Sequence, residues 1–211
     1  YGEDKTRIGD NGSLTLGQAV TGAFYASWRP AEAFYVDGLV GYADLDFTSR
    51  RWAAGLAGQA DSYAEGDRSG DVRFASVALG RVQNGERVAR DLYARLDARD
   101  ITLDGFIETG SGLSALSWDE IQQKSLSVNL GASWGWTLDI RRHGQFRPSA
   151  RIEWSHELED IGEQGVRYAD WTTSPTYLVP LNAWSRNVLN LALENEWSLS
   201  ERLMLNIGYR G

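Results

Sequence analysis

Side chains able to do covalent chemistry are few and far apart in this chain. There is no cysteine among its 211 residues and there are two histidines, His143 and His156. Thiol catalysis, thiolate metal sites and disulfide frameworks are excluded by residue type. An imidazole acting as base or ligand needs a carboxylate, a hydroxyl or a second imidazole at suitable spacing. His143 stands in the run RRHG, which reads as a solvated turn, and His156 closes a strand-like segment beside Glu157, an edge or interface position. Neither has such a companion, and a zinc enzyme is not expected. The serines of GSGLS at 110–114 lack the G-x-S-x-G order and the preceding strand of a nucleophile elbow. AEGDRSGD at 64–71 is acidic and glycine-rich but lacks the D-x-[DN]-x-[DN]-G order of a calcium loop. The first reads as a loop and the second as a solvated extracellular loop.

What remains is electrostatic. Arg95, Asp97 and Arg99 share one parity of 92–99, and Arg147, Arg151, Glu153 and Glu157 share one parity of 146–158. Opposite charges on neighbouring strands and on one face neutralise each other across a wet interior. A structural role is expected for these seven residues.

The elements that must position them are strands. From Ser125 to Ile140 the even positions read Leu126, Val128, Leu130, Ala132, Trp134, Trp136, Leu138, Ile140, and the odd ones are small or polar. Period two holds for sixteen residues, against about 5 to 6 in an ordinary strand and about 9 to 11 in a tilted membrane-crossing one. Similar alternation runs through 14–28, 92–99, 146–158, 187–199 and 203–209; 33–47 and 71–82 have strand composition with no clear face. Eight strands are expected. Short connections at 29–32, 83–90, 141–145 and 200–202 alternate with long ones at about 48–70, 104–124 and 159–186. Transmembrane β-barrels have this arrangement, with short periplasmic turns and long extracellular loops, and a soluble sandwich has no need of it. In a compact soluble domain such long structureless loops would count against the assignment.

Composition agrees. The net charge is −8 with a sequence pI near 4.8, unsuited to nucleic acid. Mean hydropathy is −0.39, and no stretch of about 18 apolar residues marks a helical span. A barrel, alternating between lipid and lumen, needs none. Nine Trp, nine Tyr and six Phe are a generous aromatic load, and Trp28, Trp134, Trp136, Trp154 and Trp197 are expected to form girdles at the membrane interfaces. No charged segment followed by an apolar one stands at the start, so any secretion signal is expected to be absent from these residues.

From about Gly22 onward, GAFYASWRPAEAFYVDGLVGYADLDFTSRR, LYARLDARDITLDGFIETGSGLSALSWDEIQQKSLSVNLGASWGW and FRPSARIEWSHELED resemble successive strands and hairpins of the β-barrel translocator domain of autotransporters, the type V secretion proteins of Gram-negative bacteria. No single motif is diagnostic; the ordered series is. The resemblance implies an all-β fold, an antiparallel transmembrane β-barrel of twelve strands in the outer membrane. About eight of those strands are visible here, so 1–211 is expected to be a translocator domain lacking its first strands and its last. It also implies a function, anchoring an N-terminal passenger and moving it to the cell surface, without enzymatic activity or a cofactor in the barrel. Implied partners are the lipid bilayer, lipopolysaccharide, the barrel-assembly machinery, periplasmic chaperones and the protein's own passenger. On this reading the seven charged residues line the pore, where they grip the linker helix or steer a passing polypeptide. Some members cleave their passenger inside the pore; a role for Glu153 near Arg151 in that chemistry is not expected. The alternatives are a porin-like or small structural barrel without a passenger, a soluble β-barrel or sandwich that binds a ligand, and an omptin-like protease, which would need acidic pairs and a histidine at the extracellular rim.

Overall fold

The computed structural model describes residues 1–140, 144–171, 173–181, 185–200 and 203–211. Its strands are β1 (Gly2–Ile8), β2 (Ser13–Ala31), β3 (Phe34–Ala53), β4 (Ser62–Asn84), β5 (Val88–Leu103), β6 (Phe106–Ile107), β7 (Leu116–Trp118), β8 (Ile121–Trp136), β9 (Leu138–Ile140), β10 (Gly144–Glu157), β11 (Glu163–Tyr168), β12 (Tyr177–Pro180), β13 (Asn187–Ser200) and β14 (Leu203–Arg210). One antiparallel sheet runs β1-β2-β3-β4-β5-β8-β10-β13-β14, in chain order with the short strands between them left out, and with β9 pairing the start of β10. Among the described residues β1 and β14 do not pair, and the sheet is open.

Register sorts the side chains into two faces, since residues directly opposite point the same way. Trp28, Val36, Leu79, Ala94, Leu130, Trp154 and Leu189 form one continuous cross-strand row. One residue over, Tyr35, Gly80, Tyr93, Gly131, Glu153 and Asn190 form the next, on the opposite face. The apolar face is the bare one: Phe24 is 69% exposed, Leu79 and Leu92 59%, while Asn129 and Glu153 on the polar face are 3% and 8% exposed. This inverts the rule for a chain folded in water.

The apolar face is a belt with defined edges. On β3 it runs from Phe34 through Val36 and Val40 to Tyr42 and then gives way to Asp44 and Asp46; on β5 it runs from Leu92 to Ala98 and stops at Asp100. Beyond that edge β2, β3 and β4 continue as a paired extension. A second sheet, β12-β11-β7-β6, stands at the same end. It is tied to β4 by the Glu65–Thr109 bridge, and its connection includes a single 3-10 turn at Gly112–Ser114.

Three expectations need correction. The path of the main sheet has nine strands, not eight, the unexpected one being β1 (GEDKTRI), a seven-residue strand that carries charge on both faces and offers no alternation; it pairs with Ser13–Ala19, beyond the apolar belt. The connection expected over about 48–70 is only 54–61, and the segment 64–71 lies within β4, its acidic residues pairing across to β3 in the extension rather than forming a loop. The alternation of 125–140 passes through a break, Thr137 separating β8 from β9.

Candidate functional site

The densest polar cluster lies on the polar face where β4, β5, β8 and β10 adjoin. Strand alternation puts Tyr93, Arg95 and Asp97 on one face of β5, and register places Gly131 and Asn129 of β8 and Glu153 of β10 beside them. Glu153 accepts from the Tyr93 hydroxyl, from Arg151 Nη2 at 2.6 Å and from Arg95 Nη2 at 3.4 Å. Arg95 Nε donates to Asp97 at 2.9 Å, and Asp97 also accepts from Asn129 Nδ2 at 2.8 Å and Ser76 Oγ at 2.6 Å. Arg151 lies over the Tyr93 ring, 5.2 Å from its centroid. Nearby, the Tyr35 hydroxyl donates to both carboxylate oxygens of Asp91 at 3.1 and 3.2 Å. With both carboxylates engaged by cations and neutral donors, the cluster suits holding charge in fixed positions better than transferring protons.

Glycine makes room for it. A Cβ on Gly131 would collide with the hydroxyl end of the Tyr93 ring, and one on Gly80 with that of Tyr35. Each tyrosine reaches across the glycine opposite it in the next strand, and this close approach brings its hydroxyl to its carboxylate.

The expected charged residues do not form one group. Arg95, Asp97, Arg151 and Glu153 belong to the network. Arg99 is on the same face, opposite Phe74 and Ser125, and is exposed. Arg147 pairs with Glu196 at 3.1 Å near the short-turn end. Glu157, at the other end of β10, accepts from Ser125 Oγ at 2.7 Å and from the Leu126 amide at 2.8 Å. His156, on the apolar face, stacks on Trp154 and lies 2.9 Å from Asn187 Oδ1. His143 lies outside the described residues. Trp28, Trp134, Trp136 and Trp197 stand at the short-turn ends of their strands, with Trp197 packed on Phe146, and Trp154 stands at the opposite end of β10. Tyr93, Asn129, Ser76, Tyr35 and Asp91 were missed as site residues. For Tyr93 and Asn129 the signal was present, since each shares the parity of the polar residues around it.

A second cluster, above the belt, had no such signal. Glu108, 5% exposed, accepts from Arg51 Nε at 2.9 Å and Nη2 at 2.5 Å, from the Leu116 amide at 3.0 Å and from Trp118 Nε1 at 3.2 Å. Its hydrogen bond holds the Arg51 guanidinium above its ordinary pKa, against the opposing effect of burial. It fastens the small sheet to β3.

A long antiparallel sheet, bare and apolar on one face, charged and internally hydrogen-bonded on the other, with short turns at one end and elaborated connections at the other, defines a transmembrane protein of the β-barrel class. Within that class the match is specific: the family model described as autotransporter beta-domain covers residues 1–210, and the chain belongs to that family. It is 24% identical over 140 residues to the autotransporter adhesin/invasin TibA of Escherichia coli O78:H11 (strain H10407 / ETEC), covering 66% of this chain and 13% of that protein. It is 25% identical over 161 residues to the autotransporter CRAC of Citrobacter rodentium (strain ICC168), covering 76% of this chain and 9% of that one. The matches thus span a small part of these relatives. The solved translocator domain of autotransporter NalP from Neisseria meningitidis aligns over 99% of this chain and 79% of its own, at 9% identity and a TM-score of 0.28, too slight a likeness to carry an argument. Family membership makes the chain a translocator domain serving a passenger in the outer membrane of a Gram-negative bacterium.

Proposed function

We propose that this domain works by geometry alone, as a non-enzymatic pore that anchors its passenger and passes it to the cell surface. The short turns face the periplasm, and the small sheet and longer connections face outward. The polar face is the pore lining: Arg95, Asp97, Arg151 and Glu153 form its fixed centre, and Arg99, Arg147 and Glu157 stand along its length. This lining meets the segment that joins barrel to passenger. Trp28, Trp134, Trp136 and Trp197 form the periplasmic girdle and Trp154 belongs to the outer one. Lipid offers no substitute for backbone hydrogen bonds, so in the membrane the two open edges of the belt, along β2 on one side and β14 on the other, are paired. The barrel-assembly machinery inserts it, and lipopolysaccharide surrounds its outer half.

The observation that carries this reading is the separation of faces: a compensated charge network on one side of the same strands whose other side is bare Leu, Val and Trp. The test uses the native precursor in a Gram-negative host. Passenger on intact cells is expected to be cleaved by added protease, and deletion of residues 1–211 is expected to leave it protected inside. Equal cleavage without the domain would overturn the reading. For the lining, the R95Q/R151Q double variant is expected to shift the ion selectivity of the domain in planar bilayers toward cations, and unchanged selectivity would remove these residues from the pore.

A further inference from the structure

On the polar face Arg95 is ion-paired to Asp97 and Glu153, Arg151 to Glu153 and Arg147 to Glu196. On the apolar face Arg73 pairs with Asp71 at the far edge of the belt, and Arg81 and Arg90 stand at the other edge. Arg81 of β4 follows Val77 and Leu79 in parity, and Arg90 of β5 precedes Leu92, both at the short-turn edge of the belt. Register puts Arg81 opposite Leu92 and Arg90 opposite Gln83, so the two are diagonal neighbours, at about 7 to 8 Å between backbones. Both are exposed, and among the described residues neither forms an ion pair. The acids of this rim, Glu32 and Glu86, lie in the turns and pair with neither. Each arginine has an aromatic beside it: Arg81 lies over the ring of Phe34, 5.5 Å from its centroid, and Arg90 stands opposite Trp134.

Next to this pair, toward the middle of the belt, is a shallow apolar hollow. Ala94 and Ala132 form its floor, and Leu79, Leu92, Leu130 and Ile152 its walls, with Arg81 at its mouth. Two like charges at diagonal positions of one strand pair, with no counterion among the described residues, repel each other, and a low-dielectric surround strengthens that repulsion. An anion bridging both guanidiniums removes it, and phosphate fits because each planar fork can donate two hydrogen bonds to its oxygens. An apolar hollow running from that anion toward the membrane centre fits acyl chains.

We infer that Arg81 and Arg90, with Phe34, Trp134 and the hollow beside them, form a binding site for one anionic glycerophospholipid of the periplasmic leaflet. Its phosphate bridges the guanidiniums, its glycerol lies against the two rings, and an acyl chain fills the hollow over Ala94 and Ala132. The inference rests on the orientation proposed above, with the short turns at the periplasm.

The precursor, extracted in mild detergent and weighed intact by native mass spectrometry, supplies the test, with phosphatidylglycerol, phosphatidylethanolamine and purified lipid A titrated in turn. Phosphatidylglycerol is expected to bind most tightly. The R81Q/R90Q double variant is expected to lose about thirtyfold in affinity, some fivefold for each cation removed from an anionic surface. R73Q, at the far edge of the belt, is expected to leave affinity unchanged, and R81K/R90K to recover part of the loss by charge without the bidentate geometry. Folding of each variant is checked by heat-modifiable electrophoretic mobility. Should the double variant fold poorly, A94W, which fills the hollow and keeps both charges, is expected to reduce binding by itself. Undiminished phosphatidylglycerol binding in either R81Q/R90Q or A94W overturns the site. Preference for lipid A, lost in R81Q/R90Q, overturns the assigned leaflet and with it the orientation, leaving membership of the autotransporter family untouched.

Discussion

Glu153 is held by three donors from two strands, the Tyr93 hydroxyl, Arg95 and Arg151, and is among the least exposed charged groups of the polar face. Glu153→Gln keeps the shape and removes the charge, leaving two guanidiniums without their shared carboxylate. Hydrogen bonds to charged groups contribute about 1.5–3 kcal/mol each, and stranding a partner costs more than losing the bond. We expect the folded domain in micelles to lose about 2 kcal/mol, read as a lower guanidinium midpoint at unchanged slope. Arg147→Gln, whose side chain is half exposed and donates to Glu196 and Gln145, should change the midpoint little. The glycines under the tyrosines give a sharper test, because a Cβ at Gly131 can be admitted only if Tyr93 moves. Gly131→Ala should therefore destabilise, and Tyr93→Ala in the same molecule should make the alanine nearly harmless, a coupling of about 1–3 kcal/mol in a double-mutant cycle. Additive effects would mean that ring and backbone are not in contact. Four of the network's members, Arg95, Asp97, Arg151 and Glu153, were legible from parity alone. That Arg99, Arg147 and Glu157 stand apart from them was not, because parity fixes a face and only register fixes distance.

Among the elements, β8 was legible because its faces differ in kind: Leu, Val, Ala and Trp against Ser, Asn and Gly. β3 and β4 resisted the same reading. Their polar face carries Tyr35, Leu39, Leu45, Phe47 and Phe74, and three of those rings pack over Gly80, Gly17 and Gly41 of the adjoining strand. An aromatic over a glycine makes a pore-side face look apolar, and alternation disappears from the sequence while persisting in the structure. The long connections were harder still, since a strand such as β6 or β7, two or three residues long, shows no period. What organises them is Glu108, which gathers Arg51 of β3, the Leu116 amide and Trp118 of β7. Glu108→Ala should free the small sheet and leave the long strands intact. Limited proteolysis should then cleave within 104–120 at least tenfold faster, while the membrane-embedded fragment stays protected. Equal cleavage of wild type and variant would show that the small sheet holds itself in place without this clamp.

For the molecule as a whole, stability and solubility depend on which solvent meets which face. The residues that a water-soluble chain would bury, Phe24, Leu79, Leu92, Leu130, Leu189 and Ile207, are 48% to 69% exposed, and the described residues include no large side chain that is fully buried. Detergent removal is therefore expected to precipitate the domain, and a monodisperse monomer in plain buffer would contradict the membrane placement of this face. Depth along the belt supplies the finer test. Leu130 sits midway along the apolar run of β8, between Leu126 and Trp134, whereas Thr102 on β5 shares the same face beyond the Asp100 edge. Charge on a lipid-facing position costs about 2–4 kcal/mol at the midplane and close to nothing at the interface. Leu130→Arg should accordingly lower the equilibrium stability of the domain in vesicles by about that amount, with Thr102→Arg within about 1 kcal/mol of wild type. Ser127→Arg, three residues before Leu130 and on the polar face of β8, should also be tolerated, since a wet pore accepts what lipid rejects. If all three substitutions cost the same, the two faces would share one solvent, and no separation into lipid side and pore side could stand.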